Sequence, residues 1–266
     1  MSYTRNNLDN STLTFPQDNK IHFEEVEHIY SVDGAGEMTP VSTVVASFFK
    51  KFDAQHWSMR KCYGNETQAA KLREQWECKG RMAAQLGTHL HKQIEDFLNT
   101  QKPPQTQCHL QYQGNYVHED KECDISREWQ MFKNFHNTIG YQPFRTEWAV
   151  YDIETRMAGT IDLLCSKTDG TYEIFDWKRS NKIEPTQHNK WDSGINGLEH
   201  LTDTTYIHYC LQQNLYRYML EKNYGLHISA MHLVVLHPDY SNYRIVNIPR
   251  MEKEIDIIVG KRLFAR

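Results

Sequence analysis

The chain has 266 residues, of which 39% are hydrophobic and 24% are charged, with 8 Pro and 13 Gly. This composition is typical of a globular protein and excludes disordered and fibrous chains. No stretch approaches the roughly 18 to 20 apolar residues that a membrane-spanning helix needs. The N-terminal sequence MSYTRNNLDNSTLTF lacks the basic and then apolar pattern of a signal peptide. We therefore expect a cytoplasmic protein without a membrane segment, in the host cytoplasm if a phage encodes it.

Six cysteines are scattered along the chain without a C-x-x-C pair, which argues against a disulfide scaffold or a structural zinc ribbon. The formal net charge of −4, taken alone, argues weakly against a nucleic-acid partner. The charge is unevenly distributed along the chain. The segment from Lys50 to Arg81 holds eight basic and four acidic residues, so its net charge is +4 and that of the remainder is −8. Such a segment could follow a phosphate backbone. Solvated helix faces are the alternative explanation for many of its charges.

Periodicity and turn signals predict a loose polar arm at residues 1–20, followed by one mixed α/β domain at 21–266. Residues 21–82 form its strand and helical N-terminal region, and residues 83–266 its core, with a Gln- and Pro-rich insert at 101–124 that we expect to be mobile. Strands are predicted, in chain order, at 22–32, 144–151, 159–165, 172–178, 231–236 and 243–248. Helices are predicted from about residue 39, at about 66–77, 80–99, 125–139 and 206–222, and at the C-terminus.

Two neighbouring strands carry carboxylates in apolar surroundings. In EIFDWK, alternation places Asp176 and Lys178 on the same face, and in GTIDLL it places Asp162 opposite its apolar neighbours. A carboxylate in such surroundings is costly unless it is paired or binds a cation. Two of them beside a lysine could form a divalent-metal site, and hard oxygen ligands suit Mg²⁺ or Mn²⁺. A simple Asp–Lys ion pair at a strand end is an equally good explanation of these residues alone.

Two further candidates lie upstream of these strands. In the predicted helix at 80–99, Gly87, His91 and Glu95 recur every four residues along the edge of the apolar stripe, so His91 borders the core and could reach a metal ion. A hydrogen-bonded core histidine is the more common case. Glu147 begins an alternation with Ala149 that could place it at the same end of the sheet. The alternative interpretation is that Glu147 is an exposed carboxylate on the strand.

The predicted helix at 206–222 combines an apolar stripe with polar groups. Tyr209, Gln212 and Tyr216 lie on one face, beside a stripe of leucines. An ordinary amphipathic core helix accounts for the leucines. Gln212 at the border of the core is harder to explain that way, because a buried amide needs hydrogen-bond partners.

The motifs GTHLH with Glu95, then Glu147, GTID, DWK and QxxxY follow one another in the order found in the RecB-like branch of the PD-(D/E)XK nuclease superfamily. The sequence resembles this branch, which includes the RecB nuclease domain, lambda-type phage exonucleases and the mitochondrial genome-maintenance exonuclease. The likeness runs from about residue 80 to 225, with a looser likeness at HIYSVDG and TPVSTVV. It implies a restriction-endonuclease-like α/β core, with a mixed central sheet flanked by helices and with N-terminal helical additions.

The resemblance also implies roles for the site residues. Asp162 and Asp176 would hold one or two Mg²⁺ or Mn²⁺ ions, helped by His91 and the backbone carbonyl of Trp177. Lys178 would orient or deprotonate the attacking water. The sequence departs from the family at one metal-binding position, where Asp176 stands in place of Glu. The family's pattern allows either residue there.

Other residues match the outer parts of the family's site. Glu147 resembles the acidic residue near the metals, and Gln212 and Tyr216 resemble the motif that touches the substrate or the lysine. Glu95 resembles a residue that supports the helix. Some RecB-like nucleases carry an iron–sulfur cluster on C-terminal cysteines, but no cysteine follows Cys210, so we expect no cluster.

The function that this resemblance implies is a metal-dependent deoxyribonuclease, with an exonuclease acting at single-stranded or resected DNA ends in recombination, repair or phage replication as the favoured form. A non-catalytic nucleic-acid-binding module on the same fold is one alternative, and a structure- or site-specific endonuclease is another. Strand polarity, DNA against RNA, oligomeric state and protein partners stay open.

Two segments are candidates for contact with the substrate, the insert at 101–124 and the loop after DWK, which contains Arg179, Lys182, Lys190 and Trp191. Trp191 could stack on a base. A loop tryptophan that simply packs against the protein is the more common case.

Overall fold

The computed structural model describes residues 15–24, 27–189 and 192–264. Residues 1–14 of the predicted arm, and Lys190 and Trp191 of the predicted contact loop, lie outside the described residues. The described chain forms two compact units. The first contains the described parts of 1–50, 139–235 and 244–266, and the second contains 51–138 and 236–243.

Ten strands are present in the described chain: β1 (Ile21–Glu24), β2 (Ile29–Val32), β3 (Gly36–Pro40), β4 (Gln107–Gln113), β5 (His118–Asp124), β6 (Gln142–Asp152), β7 (Met157–Ser166), β8 (Tyr172–Lys178), β9 (Ile228–Val235) and β10 (Arg244–Asn247). Six helices accompany them: α1 (Val41–Ala46), α2 (Ala54–Lys61), α3 (Glu66–Thr100), α4 (Ser126–Thr138), α5 (Thr205–Asn223) and α6 (Glu252–Phe264).

The first unit is built on an eight-stranded mixed sheet with the order β1-β2-β3-β7-β8-β9-β10, and β6 lies beside β7. β3 is parallel to β7 and β8 is parallel to β9, whereas the other neighbours are antiparallel. Helix α5 makes the crossover that the parallel pair β8 and β9 requires. The predicted mixed α/β class with a central sheet flanked by helices is confirmed.

Strand β7 lies between β6 on one edge and two different strands on the other. β6 pairs with β7 along its whole length, so β3 and β8 share the opposite edge. There β3 pairs with Met157 and Ala158, and β8 pairs with Leu163 to Ser166. In the described chain, residues 159–162 have no ladder partner on that edge. The sheet therefore opens at the middle of β7.

Helix α5 forms where the sequence predicts it and extends that prediction by one residue at each end. It begins at Thr204, whose side-chain oxygen accepts a hydrogen bond of 3.3 Å from the backbone N–H of Ile207. Leu211, Leu215 and Met219 recur every four residues and are fully buried. The buried leucine stripe thus fixes which polar residues lie at its borders.

Residues 15–20 belong to the segment predicted as an arm, and they pack against β6. Asp18 accepts a hydrogen bond of 2.8 Å from the indole Nε1 of Trp148 and forms an ion pair of 3.2 Å with Arg145. The ring of Phe15 lies 5.1 Å from that of Trp148. Arg145 is buried among these aromatic rings, 4.9 Å above Trp148. Its charge is therefore stabilised by the carboxylate of Asp18.

Two predicted segments are divided differently in the described chain, which also contains β3 and α2, elements that the sequence did not predict. The single strand expected at 22–32 is two antiparallel strands, β1 and β2, and His28 between them has a φ of 55°, which an extended strand does not contain. The two helices expected at 66–77 and 80–99 are one 35-residue helix, α3. Gly80 costs about 1 kcal/mol in a helix, which does not end a helix whose neighbouring turns are strong helix formers.

The second unit contains a hairpin inside the insert at 101–124, for which we expected no regular structure. Strands β4 and β5 pair from Gln107 with Asp124 to Gln113 with His118. Leu110 and Tyr112 alternate along β4 and pack with Cys78 and Met82 of α3. The prediction missed these strands because it weighed the Gln and Pro content of the insert above the alternation of Cys108, Leu110 and Tyr112 along β4.

Candidate active site

Asp162 and Asp176 lie in the first unit, on β7 and β8, where these strands separate. Only 9% of Asp162 and 2% of Asp176 is exposed. The ladder between the strands ends at the pair of Leu163 and Phe175. Beyond it, the backbone N–H of Trp177 donates a hydrogen bond of 2.8 Å to Oδ2 of Asp162. A side-chain carboxylate thus takes the place of a backbone acceptor at the opening of the sheet.

Lys178 lies beside these carboxylates, with 15% of its side chain exposed. Its ammonium forms an ion pair with Oδ2 of Asp176 and lies 4.6 Å from the ring centre of Tyr209. Burial alone would lower the pKa of Lys178, but the charges of Asp176 and Asp162 outweigh it and raise this pKa above its ordinary value. Lys178 is therefore a cation at neutral pH. The predicted placement of Lys178 and Asp176 on one face is correct.

Gln213 on α5 is a site residue that the sequence reasoning missed. Its side-chain amide donates a hydrogen bond of 2.8 Å from Nε2 to Oδ1 of Asp176, and the side chain is fully buried. The sequence reasoning followed the face of Tyr209, Gln212 and Tyr216. A face through residues 209, 213 and 216 has equally good helical spacing and would have pointed to Gln213.

Glu147 lies opposite Asp162 in the pairing of β6 with β7, because Thr146 pairs with Leu163 and Trp148 with Ile161. A carboxylate oxygen of Glu147 lies within 4.8 Å of one of Asp162. The backbone of Glu147 has a φ of 44°, in the left-handed region that residues other than glycine rarely adopt. Such a conformation costs of order 1 kcal/mol or more and is found preferentially at functional sites.

Gln212 and Tyr216 contact one another beside the open part of β7. Nε2 of Gln212 donates a hydrogen bond of 3.2 Å to the hydroxyl of Tyr216, which is buried. The ring of Tyr216 occupies the space that a side chain at Gly159 would need. A Cβ at that position would lie 2.7 Å from Cε1 and 2.9 Å from the hydroxyl oxygen of Tyr216. Gly159 is therefore required by the close approach of this tyrosine.

We expect Gly159→Ala to lower the free energy of unfolding by about 1–3 kcal/mol, because the new methyl group must displace a buried ring. Gly80→Ala is the matched control, because a Cβ at Gly80 meets nothing within 4 Å. It should raise stability by about 0.5–1 kcal/mol, as alanine is the better helix former. Urea unfolding followed by circular dichroism measures both changes. Equal effects of the two substitutions would contradict this account of Tyr216.

Tyr30 on β2 is a second residue that the sequence reasoning did not assign to the site. Its hydroxyl lies 2.9 Å from Oγ1 of Thr160, in the open part of β7. Burial raises the pKa of Tyr30 to about 12, and the charges of Glu147 and Asp162 act in the same direction. Tyr30 is therefore a neutral phenol at physiological pH. The contact joins strands that are distant in sequence, so no local pattern could reveal it.

The remaining predicted residues lie on α3 and in the segment that follows β8. His91 and Glu95 are on α3 of the second unit, where His91 is half-buried and the buried Glu95 lies 3.5 Å from Nζ of Lys92. Their roles as ligand and support stay predictions. Arg179 and Lys182 follow β8, half-buried and exposed respectively.

The carboxylates of the first unit fit a divalent metal ion. Asp162 and Asp176 both act electrostatically on Lys178, and a carboxylate oxygen of Glu147 lies within 4.8 Å of one of Asp162, so the negative charge of these three carboxylates exceeds the positive charge of Lys178. Carboxylate oxygens are the ligands that Mg²⁺ and Mn²⁺ prefer. A cation bound to them would offset the free-energy cost of grouping buried like charges.

Carboxylates and a lysine at the opening of a mixed sheet are the groups that metal-dependent hydrolysis of a phosphodiester requires. The chain belongs to the PD-(D/E)XK nuclease superfamily, whose family model matches residues 67–247, more than half of the chain. This membership confirms the predicted superfamily and its restriction-endonuclease-like fold, and it indicates a metal-dependent nuclease. The assignment to the RecB-like branch stays a prediction.

Comparisons with individual proteins add little. None of the curated proteins compared with the chain matches it. A solved structure, described as the crystal structure of SSO0001, is similar at 13% sequence identity and a TM-score of 0.33, covering 86% of this chain and 76% of that one. No helix in the described part of the chain combines the length and apolar character that crossing a membrane requires.

Proposed function

We propose that the protein is a Mg²⁺- or Mn²⁺-dependent deoxyribonuclease of the RecB-like branch that hydrolyses DNA from an end. Single-stranded or resected ends are its expected substrates, in recombination, repair or phage replication. The observation that carries the proposal is that the buried Asp162 and Asp176 lie with the partly buried Lys178 at the opening of the sheet, in a chain of a nuclease superfamily. We further propose that residues 21–266 act as one nuclease domain, since the family match includes parts of both units.

Asp162, Asp176 and Glu147 supply the oxygen ligands for one or two ions in this proposal, with His91 and the carbonyl of Trp177 as further ligands. A bound divalent ion supplies a nucleophilic water and stabilises charge on the phosphate oxygens. Oδ2 of Asp162 is oriented by the N–H of Trp177, and Oδ1 of Asp176 by the amide of Gln213. These hydrogen bonds limit rotation of both carboxylates before any ion binds.

Lys178 orients the attacking water in this proposal. The neighbouring carboxylates keep its ammonium charged, and the ring of Tyr209 covers one side of it. A charged ammonium donates hydrogen bonds but cannot accept a proton, so it positions the water and stabilises negative charge that develops beside it. In this proposal, Gln212 contacts the substrate, because its side chain is only half-buried. Tyr216 supports it by accepting the hydrogen bond from its amide.

Digestion of end-labelled DNA tests the proposal directly. Protein stripped with EDTA should cleave linear DNA only after Mg²⁺ or Mn²⁺ is restored, and Asp176→Asn should stay at the EDTA background. Asp169→Asn is the matched control, an exposed aspartate in the turn between β7 and β8, and it should cleave like the wild type. A non-catalytic binding module would bind DNA without cleaving it under any of these conditions, which would refute the proposal.

A circular substrate separates the two nuclease alternatives. An enzyme that needs an end leaves covalently closed circles intact while it degrades the same DNA after linearisation. Cleavage of the circle at the rate of the linear form would refute the exonuclease proposal and favour an endonuclease on the same site.

A further inference from the structure

A group of exposed aromatic residues lies close to basic residues in the second unit. We call this group the aromatic–basic surface, and it comprises the residues around α2 and the first turns of α3: Phe52, Trp57, Arg60, Lys61, Tyr63 and Trp76. The guanidinium of Arg60 lies 5.4 Å from the ring centre of Trp57, and the ammonium of Lys61 lies 5.5 Å from that of Trp76. The rings of Phe52 and Trp76 are 5.6 Å apart. These contacts connect α2 with α3.

The aromatic side chains of this surface are unusually exposed. Phe52 is 67% exposed, Trp57 40% and Tyr63 99%. These are three of the eight large hydrophobic side chains that are exposed in the described chain, and they fall within twelve residues of sequence. Single exposed apolar side chains need no explanation, whereas a cluster of them marks an interaction site.

Tyr63 lies just beyond the C-terminal end of α2. Its backbone has a φ of 49°, in the left-handed region in which helices commonly end, and the N–H of Gly64 donates a hydrogen bond of 2.9 Å to the carbonyl of Met59. This helix end leaves the ring of Tyr63 in solvent, 99% exposed, where it can stack on a ligand.

The basic groups of this surface are available to a ligand. Asp53 accepts a hydrogen bond from the backbone N–H of His56 at the start of α2, and Glu66 is paired with Arg73 at 2.7 Å. Arg60 and Lys61 form no ion pair with a carboxylate in the described chain. Both cationic groups can therefore pair with an anionic ligand.

We propose that the aromatic–basic surface of the second unit binds single-stranded DNA. The inference deepens the proposed function, because it takes DNA as the substrate. Unpaired bases present flat faces that can stack on Trp57, Phe52 and Tyr63. Arg60 and Lys61 contact the phosphates between these bases. A duplex hides the faces of its bases, so exposed aromatic side chains favour a single strand.

Binding of a labelled single strand in EDTA tests the inference, because cleavage cannot occur there. The probe is a fluorescein-labelled oligothymidylate of about 20 nucleotides, which is long enough for several stacking contacts. Fluorescence anisotropy should give a Kd that Trp57→Ala raises by about 5- to 100-fold. The double variant Arg60→Ala/Lys61→Ala should reduce the slope of log K against log salt by about 0.7 for each charge removed.

Two control variants come from exposed residues that belong to no proposed binding site. Phe264 at the end of α6 is 89% exposed, and Lys167 is paired with Glu173 at 2.9 Å. Phe264→Ala and Lys167→Ala should leave the Kd within about twofold, since neither removes a ring or a charge of the aromatic–basic surface. Thermal unfolding midpoints equal to that of the wild type show that the variants fold.

Several outcomes would overturn the inference. A Kd unchanged in Trp57→Ala, or raised equally by Phe264→Ala, removes the evidence for stacking at this surface. Self-association that depends on Trp57, with an unchanged Kd for the oligonucleotide, assigns the surface to a second copy of the chain. DNA cleavage in Mn²⁺ is measured in a separate experiment. If Trp57→Ala weakens binding but the wild type cleaves no DNA, the nuclease proposal is refuted and the proposed DNA-binding surface is not.

Discussion

Replacing Lys178 with methionine should lower the rate of DNA cleavage by about 100- to 10,000-fold, the range expected for loss of a group that handles or orients a reacting proton. Methionine keeps the length and apolar stem of the lysine but removes its charge. The attacking water then loses a hydrogen-bond donor, and Asp176 loses the ammonium that forms its ion pair. The measurement is single-turnover cleavage of end-labelled linear DNA at saturating Mg²⁺.

Lys167→Met is the control for this substitution. Lys167 lies near the other end of the same hairpin, where its exposed ammonium pairs with Glu173 at 2.9 Å. A surface pair of this kind contributes little, so cleavage should be unchanged. The prediction fails if Lys178→Met and Lys167→Met cleave equally fast, or if Lys178→Met loses its native circular dichroism spectrum together with its activity.

The substitution with the largest expected effect on stability is Asp18→Ala. It removes the ion-pair partner of the buried Arg145 and the acceptor for the indole N–H of Trp148. Burial lowers the pKa of Arg145 but leaves it charged, and Asp18 acts to raise that pKa. Removing one member of a buried ion pair costs about 3–5 kcal/mol, which should appear as a lower free energy of unfolding in urea.

A second change should reverse much of this loss. In the double variant Asp18→Ala/Arg145→Met, no buried charge remains, so stability should recover by at least about 1 kcal/mol relative to Asp18→Ala. Asp33→Ala is the surface control, because Asp33 pairs with His22 where both are largely exposed, and it should change stability by less than about 1 kcal/mol. Equal losses for Asp18→Ala and Asp33→Ala would contradict the importance of burial.

The strands β6, β7 and β8 and the helix α5 could be predicted because each has a regular period. A period of two along β8 fixes Asp176 and Lys178 on one face, and no distant contact is needed to see it. The buried leucines of α5 fix its position in the same way. The predicted catalytic strands therefore lie within a few residues of the observed ones.

The details that escaped prediction depend on contacts between distant parts of the chain. Gln212 and Gln213 are adjacent on α5, and a helix turns only about 100° per residue, so periodicity alone does not decide which of them faces Asp176. Tyr30 reaches Thr160 from another strand, 130 residues away in sequence. The hairpin of β4 and β5 acquires its apolar partner only from α3.

The left-handed backbone at Glu147 has a consequence for how this sequence can evolve. Glycine would adopt the same φ without strain. Backbone conformation alone would therefore favour glycine here, whereas the proposed activity would favour the carboxylate. If Glu147 has the proposed role, a relative with glycine at this position would gain backbone stability and lose activity, as expected when strain is maintained for function.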